Sequence, residues 1–91
     1  MNDNSLRDKV ALVTGGSRGL GRAIALGLAK AGADVIIVSR KQDACDAVAW
    51  SIECMGRYAL PVAANMGKAD DIEHLLQVIQ PRFKKIDILV N

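Results

Sequence analysis

The chain has 91 residues, 51% of them hydrophobic and 24% charged, which describes a globular chain of at most one domain. So apolar a chain can bury enough surface to offset the entropy of ordering, and disorder is not expected. Twelve basic residues against ten acidic ones give a net charge of +2, too balanced for a nucleic-acid binder that works through its field. Three aromatic residues are too few to stack single-stranded bases.

No apolar run reaches the ~18 residues that suggest a membrane span. The start, Met1-Asn2-Asp3-Asn4-Ser5, is polar and lacks the apolar core of a signal peptide. The expectation is therefore a cytoplasmic, reducing setting, with neither membrane nor nucleic acid as partner. The end differs in character. Ile86-Asp87-Ile88-Leu89-Val90-Asn91 stops directly after an apolar run, which reads as a domain cut after its fourth strand. Residues 1–91 are thus expected to be an incomplete domain.

In chain order, Val10-Ala11-Leu12-Val13 is a buried strand closed by Thr14-Gly15-Gly16. A helix follows over 20–31, with Leu20, Ile24, Leu28 and Ala31 on its core face and Gly32 as its stop. Val35-Ile36-Ile37-Val38 is a second strand, β-branched and without alternation, as expected of a parallel strand covered on both faces. The pattern predicts a second helix over 41–55, ended by Gly56, and a third strand over 58–64 that Pro61 assigns to an edge.

A third helix is expected from Ala69 to about Phe83, burying Ile72, Leu75, Leu76 and Ile79, with Pro81 fraying its last turn. Asp70 and Asp71 in its first turn and Lys84 and Lys85 after its last complement the helix dipole. Residues 86–90 make a fourth strand. The sum, β-α-β-α-β-α-β, is the α/β pattern of a doubly wound parallel sheet. Its connectivity implies strand order 3-2-1-4, with two helices on one face and the third alone on the other.

The most informative segment is Thr14-Gly15-Gly16-Ser17-Arg18-Gly19-Leu20-Gly21, between the first strand and the first helix. A doubly wound sheet places its phosphate site there, at the carboxyl end of the first strand. Gly15 permits the tight exit from the strand, Gly19 lets a pyrophosphate approach the backbone, and Gly21 lets the helix pack closely. The helix start offers free N–H groups and a partial positive charge to the phosphates, and Ser17 and Leu20 join the glycines as candidate cofactor-binding residues. A P-loop is excluded, because no Gly-Lys-Ser/Thr ending is present.

The glycines run G-x-x-x-G-x-G, and Thr-Gly-x-x-x-Gly-x-Gly resembles the cofactor signature of the short-chain dehydrogenases/reductases. Asp87-Ile88-Leu89-Val90-Asn91 resembles the start of that family's D-x-L-V-N-N-A-G segment, so the likeness spans the chain. Ser39-Arg40-Lys41 and Ala64-Asn65-Met66-Gly67 are similar to a carbonyl-reductase-like branch. The resemblance implies the N-terminal portion of a Rossmann-type domain. It implies an oxidoreductase that moves hydride between nicotinamide and a carbonyl or alcohol substrate, homo-oligomeric when complete.

The end of the second strand speaks to the cofactor. An NAD-binding unit places an acidic residue there, about 20 residues past the glycines, to hold the ribose 2′-hydroxyl. This chain has Ser39-Arg40-Lys41, with no acid before Asp43. A carboxylate would repel a 2′-phosphate, whereas a guanidinium can pair with it at two oxygens. Arg18 adds a cation on the same side, so NADP(H) is favoured over NAD(H). By resemblance, Asn65 would meet the adenine amino group with Met66 beside the ring. Asn91 would order the sheet beside the adenosine.

The resemblance also implies a catalytic serine and a Tyr-x-x-x-Lys pair. The single tyrosine here is Tyr58, and Val62 stands four residues on, so no residue of the chain takes a catalytic role. Tyr58 is expected to pack at the sheet edge, His74 to lie on the surface, and Trp50 to pack or be partly exposed. Cys45 and Cys54 are nine residues apart on one helix, about 900° of rotation and ~13.5 Å of rise, too far for a disulfide. With no second Cys/His pair, no zinc site is expected. A competing reading is a non-catalytic nucleotide-binding module or an inactive degenerate fragment.

Overall fold

Seven elements alternate along the chain: β1 (Val10–Thr14), α1 (Gly19–Lys30), β2 (Asp34–Ser39), α2 (Gln42–Glu53), β3 (Ala59–Ala63), α3 (Ala69–Ile79) and β4 (Ile88–Val90). The computed structural model describes residues 5–91, and the polar stretch 1–4 considered above lies outside them. All neighbouring strands pair in parallel, in the order β3-β2-β1-β4 expected from the sequence. Pro61, which has no N–H to give a ladder, indeed sits on an edge strand.

Both faces of the central strands are covered, which is why β2 tolerates four consecutive apolar residues. On one face Val13, Val35 and Ile37 meet Ala25 and Ala29 of α1 and Cys45, Val48, Ala49 and Ile52 of α2. On the other, Leu12, Ile36, Val38, Leu60 and Val62 meet Leu75 and Ile79 of α3. The register sets Leu89 opposite Leu12, on this α3 side, and Leu89 remains 61% exposed. One helix does not reach across four strands.

Four expectations need correction. In α1 the buried positions are Ala25 and Ala29, while Leu20 is 76% exposed. The stripe is displaced by one residue from the large side chains expected to form it, because small residues let a helix lie close to the sheet. Leu76 of α3 is 47% exposed, since no second helix stands beside α3 to cover it. That helix also ends at Ile79, before Pro81 rather than beyond it, because the residue ahead of a proline is biased away from continuing a helix. Finally, β4 starts at Ile88, because Asp87 is engaged differently.

The Asp87 backbone N–H donates to the Val10 carbonyl at 2.8 Å, and its Oδ2 accepts the Val10 N–H at 2.9 Å. Lys85 Nζ lies 3.3 Å from Oδ1. The Val10 N–H, then Lys85, hold this carboxyl below the ordinary aspartate range. A depressed folded-state pKa contributes stability that is fully present above the unfolded value of about 3.9 and is lost as pH falls through the folded one. Replacing Asp87 by Asn keeps an acceptor for Val10 but removes the titration. Urea unfolding at pH 7 and pH 3 should therefore show a smaller acid loss for Asp87→Asn than for the unaltered chain.

Candidate cofactor-binding site

The carboxyl ends of β1, β2 and β3 open together onto a cavity of about 590 Å³. Thr14, Gly15, Ser17 and Arg18 line one side, Ser39, Arg40 and Lys41 the second, and Asn65, Met66 and Gly67 the third. Val38, Ala44 and Ala64 complete the lining. Three loops that are remote in sequence are brought to one place because parallel strands end at one edge.

The glycine turn is tied down by β2. Gly15 N–H donates to the Val38 carbonyl at 2.7 Å, and Gly15 and Gly19 take φ of +69° and +59°, the left-handed region that favours glycine. Gly21 is required for a different reason. A Cβ there would fall on the Gly15 carbonyl, 2.8 Å from its carbon and 3.2 Å from Gly16 Cα. The close approach brings the start of α1, whose first N–H groups have no partner within the helix, up to the turn.

The basic wall is shaped by Ser39. Its hydroxyl accepts the Lys41 N–H at 3.3 Å, folding the strand exit back on itself, and stands 3.0 Å from the buried Cys45 thiol. Arg40 and Lys41 leave this turn exposed, and Arg18, also exposed, lines the same cavity. Among the described residues no carboxylate lines the cavity, so its lining charges are positive.

The third wall is built around Asn65. Its N–H donates to Asp71 Oδ2 at 2.7 Å, its carbonyl accepts from Lys68 N–H, and its Oδ1 accepts from Gly67 N–H at 2.9 Å. Asn65 Oδ1 therefore keeps a second lone pair that can accept a further N–H. Asp71, expected only to complement a dipole, in fact clamps the loop.

Of the residues singled out in the sequence, Gly15, Ser17, Arg18, Ser39, Arg40, Lys41, Asn65 and Met66 converge on the cavity. Gly19, Leu20 and Gly21 lie beside it at the start of α1, and Asn91 lies against Thr14. The Thr14 hydroxyl donates to the Val90 carbonyl at 3.2 Å, with Asn91 Oδ1 at 3.3 Å. Sequence reasoning missed Val38, whose carbonyl anchors the turn, and Ala44, and it gave Ala64 and Gly67 no role beyond the likeness of their segment. Alanines carry no chemical signal and become visible only as walls.

The other residues weighed above lie elsewhere. Tyr58 precedes β3, at the opposite end of the sheet, with its ring centroid 5.6 Å from that of Phe83. His74 and Trp50 are exposed. Both cysteines are free, Cys45 buried within α2 and Cys54 exposed just past its end.

A glycine turn at the first strand end, a helix start behind it and a positive cavity across the sheet's carboxyl edge together define a Rossmann-type dinucleotide-binding unit. The chain belongs to the short-chain dehydrogenase/reductase family, matching the family described as short chain dehydrogenase over residues 9–91. Members of this family bind nicotinamide cofactors. The chain is 50% identical over 86 residues to an uncharacterized oxidoreductase of Mycobacterium tuberculosis, covering 94% of this chain and 33% of that protein.

Among solved structures it is similar to L-sorbose reductase from Gluconobacter frateurii, complexed with NADPH and L-sorbose. That match has TM-score 0.90 and 37% identity over 98% of this chain and 34% of the other. The RhlG/NADP active-site complex of Pseudomonas aeruginosa gives TM-score 0.87 and 38% identity over 97% and 35%. The chain thus spans about a third of the length of these relatives.

Proposed function

We propose that this chain is the cofactor-binding part of an NADP(H)-dependent short-chain oxidoreductase. The observation that carries the reading is the rim formed by Arg18, Arg40 and Lys41 around a cavity with no lining carboxylate, where Ser39 ends β2. The donor set fits the cofactor. Arg18, Arg40 and Lys41 would hold a 2′-phosphate, Asn65 and Met66 would flank the adenine, and the start of α1 from Gly19 would face the pyrophosphate. Two structural relatives solved as complexes with NADP or NADPH support the same choice.

When bound, the cofactor supplies hydride exchange at nicotinamide C4 with a small carbonyl or alcohol substrate. The chain's own residues bind and orient the adenosine end. They do not supply a general acid, since Val62 follows the sole tyrosine where a lysine would be needed. Two measurements test the reading. NADPH should bind more tightly than NADH in direct titration, and equal or tighter NADH binding would refute the preference. Residues 1–91 alone should turn over no carbonyl substrate above a buffer control.

A further inference from the structure

Gln42, the first residue of α2, lies outside the cavity lining yet ties two of its walls together. Its Oε1 accepts the Ala63 N–H at 3.0 Å, and its Nε2 donates to the Pro61 carbonyl at 3.3 Å. The same Nε2 donates to Asp46 Oδ1 at 2.8 Å, one turn along α2, which fixes the plane of the amide.

Tyr58 and Ala64 turn their backbone groups toward β2, through Val35 N–H to the Tyr58 carbonyl and Ala64 N–H to the Ser39 carbonyl. By strand alternation Pro61 and Ala63 turn theirs to the open side of the sheet. Gln42 therefore docks on the outer edge of β3 as a one-residue substitute for a further strand. Arg40 and Lys41 immediately precede it, and Asn65 comes two residues after Ala63. The basic wall and the adenine wall are joined by this side chain.

We propose that Gln42 is a positioning residue for 2′-phosphate recognition, holding the Arg40–Lys41 turn at a set distance from the Asn65–Met66 wall. A cofactor with a 2′-phosphate spans both walls at once, adenine on one and phosphate on the other. A cofactor without it makes no demand on the basic wall. Loss of the Gln42 bridge leaves Arg40 and Lys41 to be ordered at binding, a cost that falls on the phosphorylated ligand alone. The inference rests on the NADP(H) reading above.

The test titrates adenosine 2′,5′-bisphosphate and ADP into the unaltered chain, Gln42→Met and Gln42→Ala. Methionine keeps the length of the side chain without its hydrogen bonds, and alanine removes both. Either variant should weaken the bisphosphate about fivefold, the scale of one or two exposed hydrogen bonds, and ADP by less than about twofold. In an Arg40→Ala background neither change should alter the ratio of the two affinities. Equal weakening of both ligands, no change in the ratio, or a ratio effect that survives Arg40→Ala would overturn the proposal. Absence of any bisphosphate preference in the unaltered chain sinks the NADP(H) reading and this inference with it. A preference that Gln42 variants leave intact sinks the inference alone.

Discussion

Gly21→Ala should destabilise the fold and cut dinucleotide affinity, whereas Gly27→Ala, six residues on in the same helix, should stabilise it. The same methyl group meets opposite surroundings. At Gly21 it falls on the Gly15 carbonyl and within 3.2 Å of Gly16 Cα, all backbone that cannot rotate away. Either α1 moves off the sheet or the glycine turn opens, and overpacking of this kind costs about 1–3 kcal/mol. Both movements displace the helix start from the place where a pyrophosphate would lie, so affinity for NADPH should fall by at least about tenfold, the equivalent of ~1.4 kcal/mol.

At Gly27 nothing lies within 4 Å of the added Cβ, and the residue is exposed in the helix interior. Relief of glycine's entropy cost there should add about 0.5–1 kcal/mol. Urea unfolding of the three proteins, followed by titration with NADPH, reads both effects. Equal stability changes of one sign would contradict the packing described for Gly21.

Arg40→Asp should reverse the cofactor preference. Arg40 stands at the rim beside the end of β2, and the substitution removes an attraction and adds a repulsion in one step. A hydrogen bond to a charged group contributes about 1.5–3 kcal/mol, so NADPH should weaken by roughly 10- to 100-fold. NADH should hold its affinity or gain, because a carboxylate there can accept from a ribose 2′-hydroxyl. Arg40 is exposed, so the effect should shrink as salt is raised from low concentration to about 0.5 M. Titrating both cofactors at two ionic strengths decides the matter. Unchanged preference would remove Arg40 from phosphate recognition and leave Arg18 and Lys41 to account for it.

The candidate cofactor site was legible to the extent that backbone conformation and charge are written in residue type. Gly15 and Gly19 are needed where φ is positive, and the absence of an acid between Val38 and Lys41 is a fact of the sequence. The roles of Asp71 and Gln42 were not legible. Asp71 reads equally well as a dipole partner of its own helix and as the clamp on Asn65 that it is. Gln42 is an ordinary polar residue at a helix start until β3 is placed beside it. Each bond joins elements whose separation depends on how the helices pack.

By itself, the sequence determined the order of elements, the parallel sheet and the location of the glycine turn. Each depends on local periodicity or on a backbone angle that only certain residues adopt. Leu75 and Ile79 are buried as the periodicity of α3 predicts, but only the tertiary structure decided how far each buried stripe extends. In α1 the closeness of the sheet selected Ala25 and Ala29 over Leu20, and in α3 the lack of a neighbouring helix left Leu76 uncovered. Hydrophobicity ranks residues by their gain on burial, but the distance between two backbones determines which side chains fit between them.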